Sequence, residues 1–169
     1  MTSSVNNPSN PTRHLEYYLE TVVFQVEDII FRVPRSQFER HSEIFATTFT
    51  LPPASDGRVE GADEKAPVKL EGISSFDFQS LLKPSRTAIP KTPGLSQDEW
   101  ISVLKLSTMW LFSEARILAI RHLTGHSLDC IQRILLGRQY DVSEWLRSGY
   151  TELARRSTSI SSEEANKIG

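Results

Sequence analysis

The chain has 169 residues, of which 38% are hydrophobic and 24% charged, and its formal net charge is −2. This length is typical of one domain, and a chain this apolar is not wholly disordered. The small net charge offers no general attraction to nucleic acid or to an anionic membrane. The single cysteine, Cys130, excludes an internal disulfide and favours a reducing compartment.

The first residues lack the apolar core of a signal peptide, and no later apolar run approaches the roughly 18 residues that a membrane span requires. We therefore expect a soluble protein of the cytoplasm or the nucleus. Residues 1–15 are rich in Ser, Asn, Thr and Pro, which predicts a disordered segment.

Alternating β-branched and aromatic residues then predict two strands between Thr21 and Val33. The polar pair Glu27-Asp28 separates the strands, and Pro34 ends the second because proline has no amide hydrogen to donate. The two strands should form a hairpin.

The next segment, RSQFERHSEIFATTF, spaces its apolar residues as two short helices would, with Ser36 and Ser42 placed to cap them. Residues 51–66 predict an exposed loop, residues 67–70 a short third strand, and FDFQSLL one or two helical turns. The following PSRTAIPKTPG contains three prolines, which favours a connector over a helix.

Beyond Gly94 the chain has the pattern of consecutive helices. Capping boxes are predicted from three pairs of residues, which are Ser96 with Glu99, Asp141 with Glu144, and Ser161 with Glu164. Helical spacing further predicts that Leu111 and Ile117 face the interior and that a helix ends near Gly125. The order of elements indicates an α+β fold, with a small mixed sheet flanked by helices and a helical C-terminal extension.

No constellation for catalysis is evident. His122 and His126 have the i, i+4 spacing of two zinc ligands, but no third ligand accompanies them, so packing near a helix end is the favoured alternative. No glycine-rich phosphate loop and no nucleophile with an adjacent base is found. Cys130 is expected to be a small buried hydrophobic residue. We therefore predict no enzyme, no cofactor and no metal.

The stretch VFQVEDIIFRVPRSQFERHSEIFATTFTLP resembles the start of a BTB/POZ domain. In that family a strand hairpin leads into a motif close to F-x-V-H-[RK]-x-x-L, and then into a short S-x-x-F helix. The residues in matching places are Phe31, Val33, Arg35, Phe38, Ser42 and Phe45.

Two later segments extend this resemblance to roughly residues 17–169. PVKLEGISSFDFQSLL is similar to the family's third strand and following helix. The pattern of Tyr140, Asp141, Val142, Trp145, Leu146 and Tyr150 is similar to the helical tail of fungal BTB proteins. The chain departs from the family at Pro34, where histidine is usual, and at PSRTAIP, where an aromatic-rich strand is expected. The resemblance implies a BTB/POZ-like domain over 16–128 and a helical extension over 129–169.

The resemblance implies a protein-interaction module that forms a homodimer, or pairs with a related BTB domain, through its first helix and N-terminal segment. Phe38 would then lie at the interface, with His41 beside it. Asp28 and Arg35 resemble the charged groove pair with which some members hold corepressor peptides, although a hairpin-turn carboxylate and a surface arginine explain them equally well.

Two alternatives stay open. Other family members are substrate adaptors that bind the cullin of a ubiquitin ligase through a hydrophobic-x-Glu turn, and the matching residues Ile73 to Gln79 lack that glutamate. A small enzyme of unknown chemistry is the third possibility.

Overall fold

Alternating apolar residues form the hairpin with which the fold begins. The computed structural model describes residues 12–14, 18–51, 59–85, 94–125 and 128–169. Its strands are β1 (Thr21–Val26), β2 (Ile29–Pro34) and β3 (Val68–Lys69). β1 pairs antiparallel with β2, which sets Phe24 opposite Phe31, and parallel with β3. The sheet order is therefore β2-β1-β3, and the predicted hairpin and third strand are confirmed.

Helices make up most of the rest of the described chain. They are α1 (Arg35–His41), α2 (Glu43–Thr48), α3 (Ser75–Ser85), α4 (Gln97–Met109), α5 (Ser113–Gly125), α6 (Cys130–Gln139), α7 (Ser143–Arg155) and α8 (Ser162–Ile168). The prediction of an α+β fold with a small mixed sheet is thus confirmed. Most of the predicted disordered segment 1–15 lies outside the described residues, as do residues 52–58 of the predicted loop and residues 86–93 of the predicted connector.

Several helix ends follow the predicted capping chemistry. The Ser42 side chain accepts a hydrogen bond from the amide of Phe45 and caps α2. Complete capping boxes form at the starts of α4 and α8, as predicted. The Ser36 prediction is wrong, because α1 already begins at Arg35 with Pro34 in the cap position.

The prediction of a capping box from Asp141 and Glu144 is also wrong. Asp141 has a φ of 51°, so it belongs to the turn before α7, and Val142 takes the cap position without a side-chain hydrogen bond. The predicted connector PSRTAIPKTPG also begins later than expected, because its first two residues belong to a helix. α3 runs through Pro84 to Ser85, since a proline this close to a helix end interrupts only its final turn.

The core is a cluster of aromatic rings between the hairpin and the helices. Phe38 is 2% exposed, and its ring centroid lies 4.9 Å from that of Phe24 and 5.0 Å from that of Phe45. Phe78 and Phe112 also contact it. The expectation that Phe38 offers its side chain to a partner is therefore not met, because the chain's own rings cover it.

The turns between α4 and α5 and between α6 and α7 repeat one geometry that the sequence does not reveal. Leu111 and Asp141 are left-handed, with φ of 55° and 51°. The residues that follow them, Phe112 and Val142, are buried. Their amides donate hydrogen bonds of 2.9 Å to the carbonyls of Ser107 and Gly137, respectively. Both are Schellman ends, but with a non-glycine residue in the left-handed position.

Two residues predicted to face the interior are exposed. Leu111 is 49% exposed because it lies in the left-handed turn after α4 and not on the helix face. Ile117 is 56% exposed because α5 buries Ala119 and Leu123, which lie on the opposite side of the helix.

Replacing Phe38 with alanine should lower the free energy of unfolding by about 3–5 kcal/mol, because it removes a fully buried ring from the aromatic cluster. Chemical denaturation measures this loss. The matched control is Phe76→Ala, whose ring is 50% exposed and should cost less than about 1 kcal/mol. Equal small losses for the two variants would show that Phe38 is not a core residue.

Candidate interaction surface

Arg35 ties α1 to the end of α2. Its Nε donates to Glu39 Oε1 at 2.7 Å, and its terminal nitrogen donates to the carbonyl of Phe49 at 2.9 Å. The guanidinium also lies 4.7 Å from the centre of the Phe49 ring. Arg35 therefore fixes the two short helices to each other.

Asp28 and Arg35 do not form the charged pair that the resemblance implies. Asp28 is exposed in the turn between β1 and β2, whereas Arg35 follows the end of β2. An extended strand of six residues separates its ends by roughly 20 Å. The two charges therefore lie at opposite ends of β2, and they do not form the expected groove.

A surface groove does form beside the fourth predicted residue, His41. His41 is the last residue of α1, and its Nδ1 lies 3.3 Å from Glu114 Oε2 on α5. The groove has a volume of about 240 Å³ between α1, α3 and α5. Its apolar lining is Pro84, Phe112, Ala115 and Leu118, and its polar lining is Gln37, His41 and Glu114.

Phe38 supports this groove from the interior. Its ring contacts that of Phe112 at 5.6 Å between centroids in an edge-to-face arrangement, and Phe112 lines the groove. Two of the predicted residues are thus brought to one place, His41 on the surface and Phe38 beneath it. The residues from α5 were missed, because no local pattern indicates that this helix will lie next to α1.

The hydrogen bond that brings these helices together comes from Ser42. Its Oγ donates to the backbone carbonyl of Trp110 at 2.6 Å, across 68 residues of sequence. Ser42 is 2% exposed, and the ring of Phe45 contacts that of Trp110 at 5.4 Å. The junction of α1 and α2 is therefore fixed to the turn before α5, which sets two walls of the groove.

A second charged cluster links α3 to α4. Lys105 Nζ donates to Asp77 Oδ2 at 2.6 Å, and the Asp77 residue is 9% exposed. Burial alone would raise the pKa of Asp77, but hydrogen bonds from Lys105, Ser102 and Ser74, together with the charge of Lys105, outweigh it and lower the pKa. Burial also raises the pKa of the nearby Tyr140. The arrangement is that of an ion pair that joins two helices.

Comparison with protein families finds no matching family model, and comparison with curated proteins finds no match. Within the described ranges no helix is long and apolar enough to cross a membrane. The same ranges contain no group of three His, Cys, Asp or Glu side chains placed to hold a metal ion. His122 stacks on Trp100 with ring centroids 4.2 Å apart, while His126 lies outside the described residues.

Replacing Asp77 with asparagine should lower the free energy of unfolding by about 1–3 kcal/mol near neutral pH, because Lys105 loses its charged acceptor. The folded state lowers the pKa of Asp77 below its ordinary value of 3.8. Its contribution is therefore complete above that pH and is lost as the pH falls through the lowered pKa.

Urea denaturation at neutral pH and below pH 3.8 measures the effect, and the difference between the natural chain and the variant should shrink in acid. The exposed Glu71→Gln serves as a control for the loss of one carboxylate. A difference that stays constant with pH would contradict the ion-pair explanation.

Proposed function

We propose that this chain is a protein-interaction module of the BTB/POZ class, which pairs with a second copy of itself or with a related domain. The order of elements supports the proposal, since a strand hairpin, two short helices, a third strand and a run of helices follow one another as the resemblance implies. The observation that carries it is the groove beside α1, which combines an apolar lining with a polar edge.

The chemistry of this groove suits a protein partner. Interfaces commonly have an apolar centre that is surrounded by polar groups. Ala115 and Leu118 provide apolar surface here, and the pair formed by His41 and Glu114 provides the polar edge. Because Phe38 is buried, the first helix contributes Gln37 and His41 to the surface, and the apolar centre comes from α5.

Exposed apolar side chains occur on the elements around the groove. Ile44 on α2 is 38% exposed, and Leu111 and Ile117, before and within α5, are about half exposed. Single exposed apolar residues are ordinary, but several on neighbouring elements enlarge the area that a partner can cover. They favour a surface broader than the groove itself.

The cullin-adaptor alternative gains no support from the geometry. The acidic residue between Ile73 and Gln79 is Asp77, in the first turn of α3, and its carboxylate accepts a hydrogen bond from Lys105 at 2.6 Å. An acidic side chain that is already buried and paired is not available to a partner. The proposal therefore stays with pairing between BTB-like domains.

The variant Ala115→Arg tests the groove directly. Ala115 lies on α5 and lines the groove, so an arginine there places a long charged side chain in the apolar centre. When two differently tagged copies of the chain are co-expressed, the natural copies should co-purify. The variant should bind its second copy at least about tenfold less tightly, which corresponds to about 1.4 kcal/mol.

The matched control is Ala154→Arg, an equivalent change on the exposed side of α7. It should leave co-purification unchanged, and circular dichroism should show that both variants keep their helices. Unchanged pairing of Ala115→Arg would show that the groove is not the interface. Failure of the natural copies to co-purify would contradict self-pairing altogether.

A further inference from the structure

The last helix, α8, is attached to the protein mainly by polar contacts. It packs against α6, yet none of its residues is buried. Its apolar side chains, Ala165 and Ile168, are half-buried. Apolar burial therefore contributes little to holding α8, in contrast to α7, which buries Trp145 and Gly149.

The principal attachment of α8 is a bidentate ion pair. The guanidinium of Arg156, at the end of α7, donates to the two carboxylate oxygens of Glu164 at 2.8 Å and 2.7 Å. It also donates to the carbonyls of Thr158 and Ser159, at 3.3 Å and 3.4 Å, in the segment that leads to α8. Arg156 thus fixes the connecting segment and the first turn of α8, while Arg138 of α6 donates to the carbonyl of Ile168 at the other end of the helix.

A crevice remains beneath α8. Its volume is about 510 Å³, and it is lined by Cys130, Ile131 and Leu135 of α6 together with Arg156 and Glu164. Cys130 and Ile131 are 5% and 8% exposed, so the covered face of α6 is largely shielded from solvent. Cys130 lies close enough to Arg156 to add to the rise in the pKa of the guanidinium, to which Glu164 contributes most.

We propose that α8 is a releasable strap, in which the pair of Arg156 and Glu164 is the latch and the α6 face formed by Cys130, Ile131 and Leu135 is uncovered on release. The occupant of that face in the closed state is α8 of the same chain. The strap is independent of the pairing groove, which lies between α1, α3 and α5.

Added salt, and not mild acid, is the condition that weakens the latch. Its two side chains are 27% and 28% exposed, so dissolved ions screen their attraction in part. Arg156 and the amide of Ser161 hydrogen-bond the charged form of Glu164 and lower its pKa from 4.5 to about 2. The latch therefore stays intact until the pH falls toward 2, even with Asp129 and Lys167 also lining the crevice.

The single cysteine reports the position of the strap, since a thiol reagent can label only Cys130. The test variant is Glu164→Gln. Glutamine can keep the capping box with Ser161, and Arg156 stays beside the thiol, so the change removes little except the charge of the latch. Labelling should become about threefold faster, the order expected for a partly exposed ion pair.

The matched control is Glu163→Gln, on the same helix, whose partner Lys167 lies 3.9 Å away at the surface. It should label at the natural rate. In the natural chain added salt should speed labelling, and in Glu164→Gln this dependence should largely disappear.

Labelling of Glu164→Gln at the natural rate would overturn the proposal, as would labelling of the natural chain that does not depend on salt. Circular dichroism distinguishes release of α8 from general unfolding, because release alone removes at most the signal of one seven-residue helix. Fast labelling that accompanies loss of the remaining helices would also contradict a local strap.

Discussion

The hydrogen bond from Ser42 to the carbonyl of Trp110 is the constraint on which the arrangement of the protein depends. It joins the junction of α1 and α2 to the turn between α4 and α5, and it is buried and short at 2.6 Å. Leaving either group without a partner inside the core would cost roughly 1–3 kcal/mol. The rings of Phe45 and Trp110 pack beside it. The groove exists because this contact holds α1 next to α5.

The same contact explains why the predicted interaction residues separate into different roles. Phe38 belongs to the aromatic cluster and shapes the groove through Phe112. His41 reaches the surface one turn later and faces Glu114. Arg35 fixes α1 to α2, and Asp28 is exposed at the far end of β2. Since a fold does not by itself imply a function, the proposal of a pairing module depends on the groove and not on the sheet.

Local patterns predicted the hairpin, the third strand and two of the capping boxes, because each is decided by residues a few positions apart. Long-range packing decided the rest. Nothing near Phe38 in sequence indicates that Phe78 and Phe112 will cover it, and nothing near Leu111 indicates a left-handed turn at a residue other than glycine. The groove and the latch each join residues that are distant in sequence or lie on separate helices, so periodicity alone could not reveal them.

Light scattering coupled to size exclusion, over a range of concentrations of the purified chain, tests the central claim most directly. The proposed pairing predicts a particle of twice 19.1 kDa that persists on dilution into the micromolar range or below. A particle of 19.1 kDa at every concentration would contradict self-pairing.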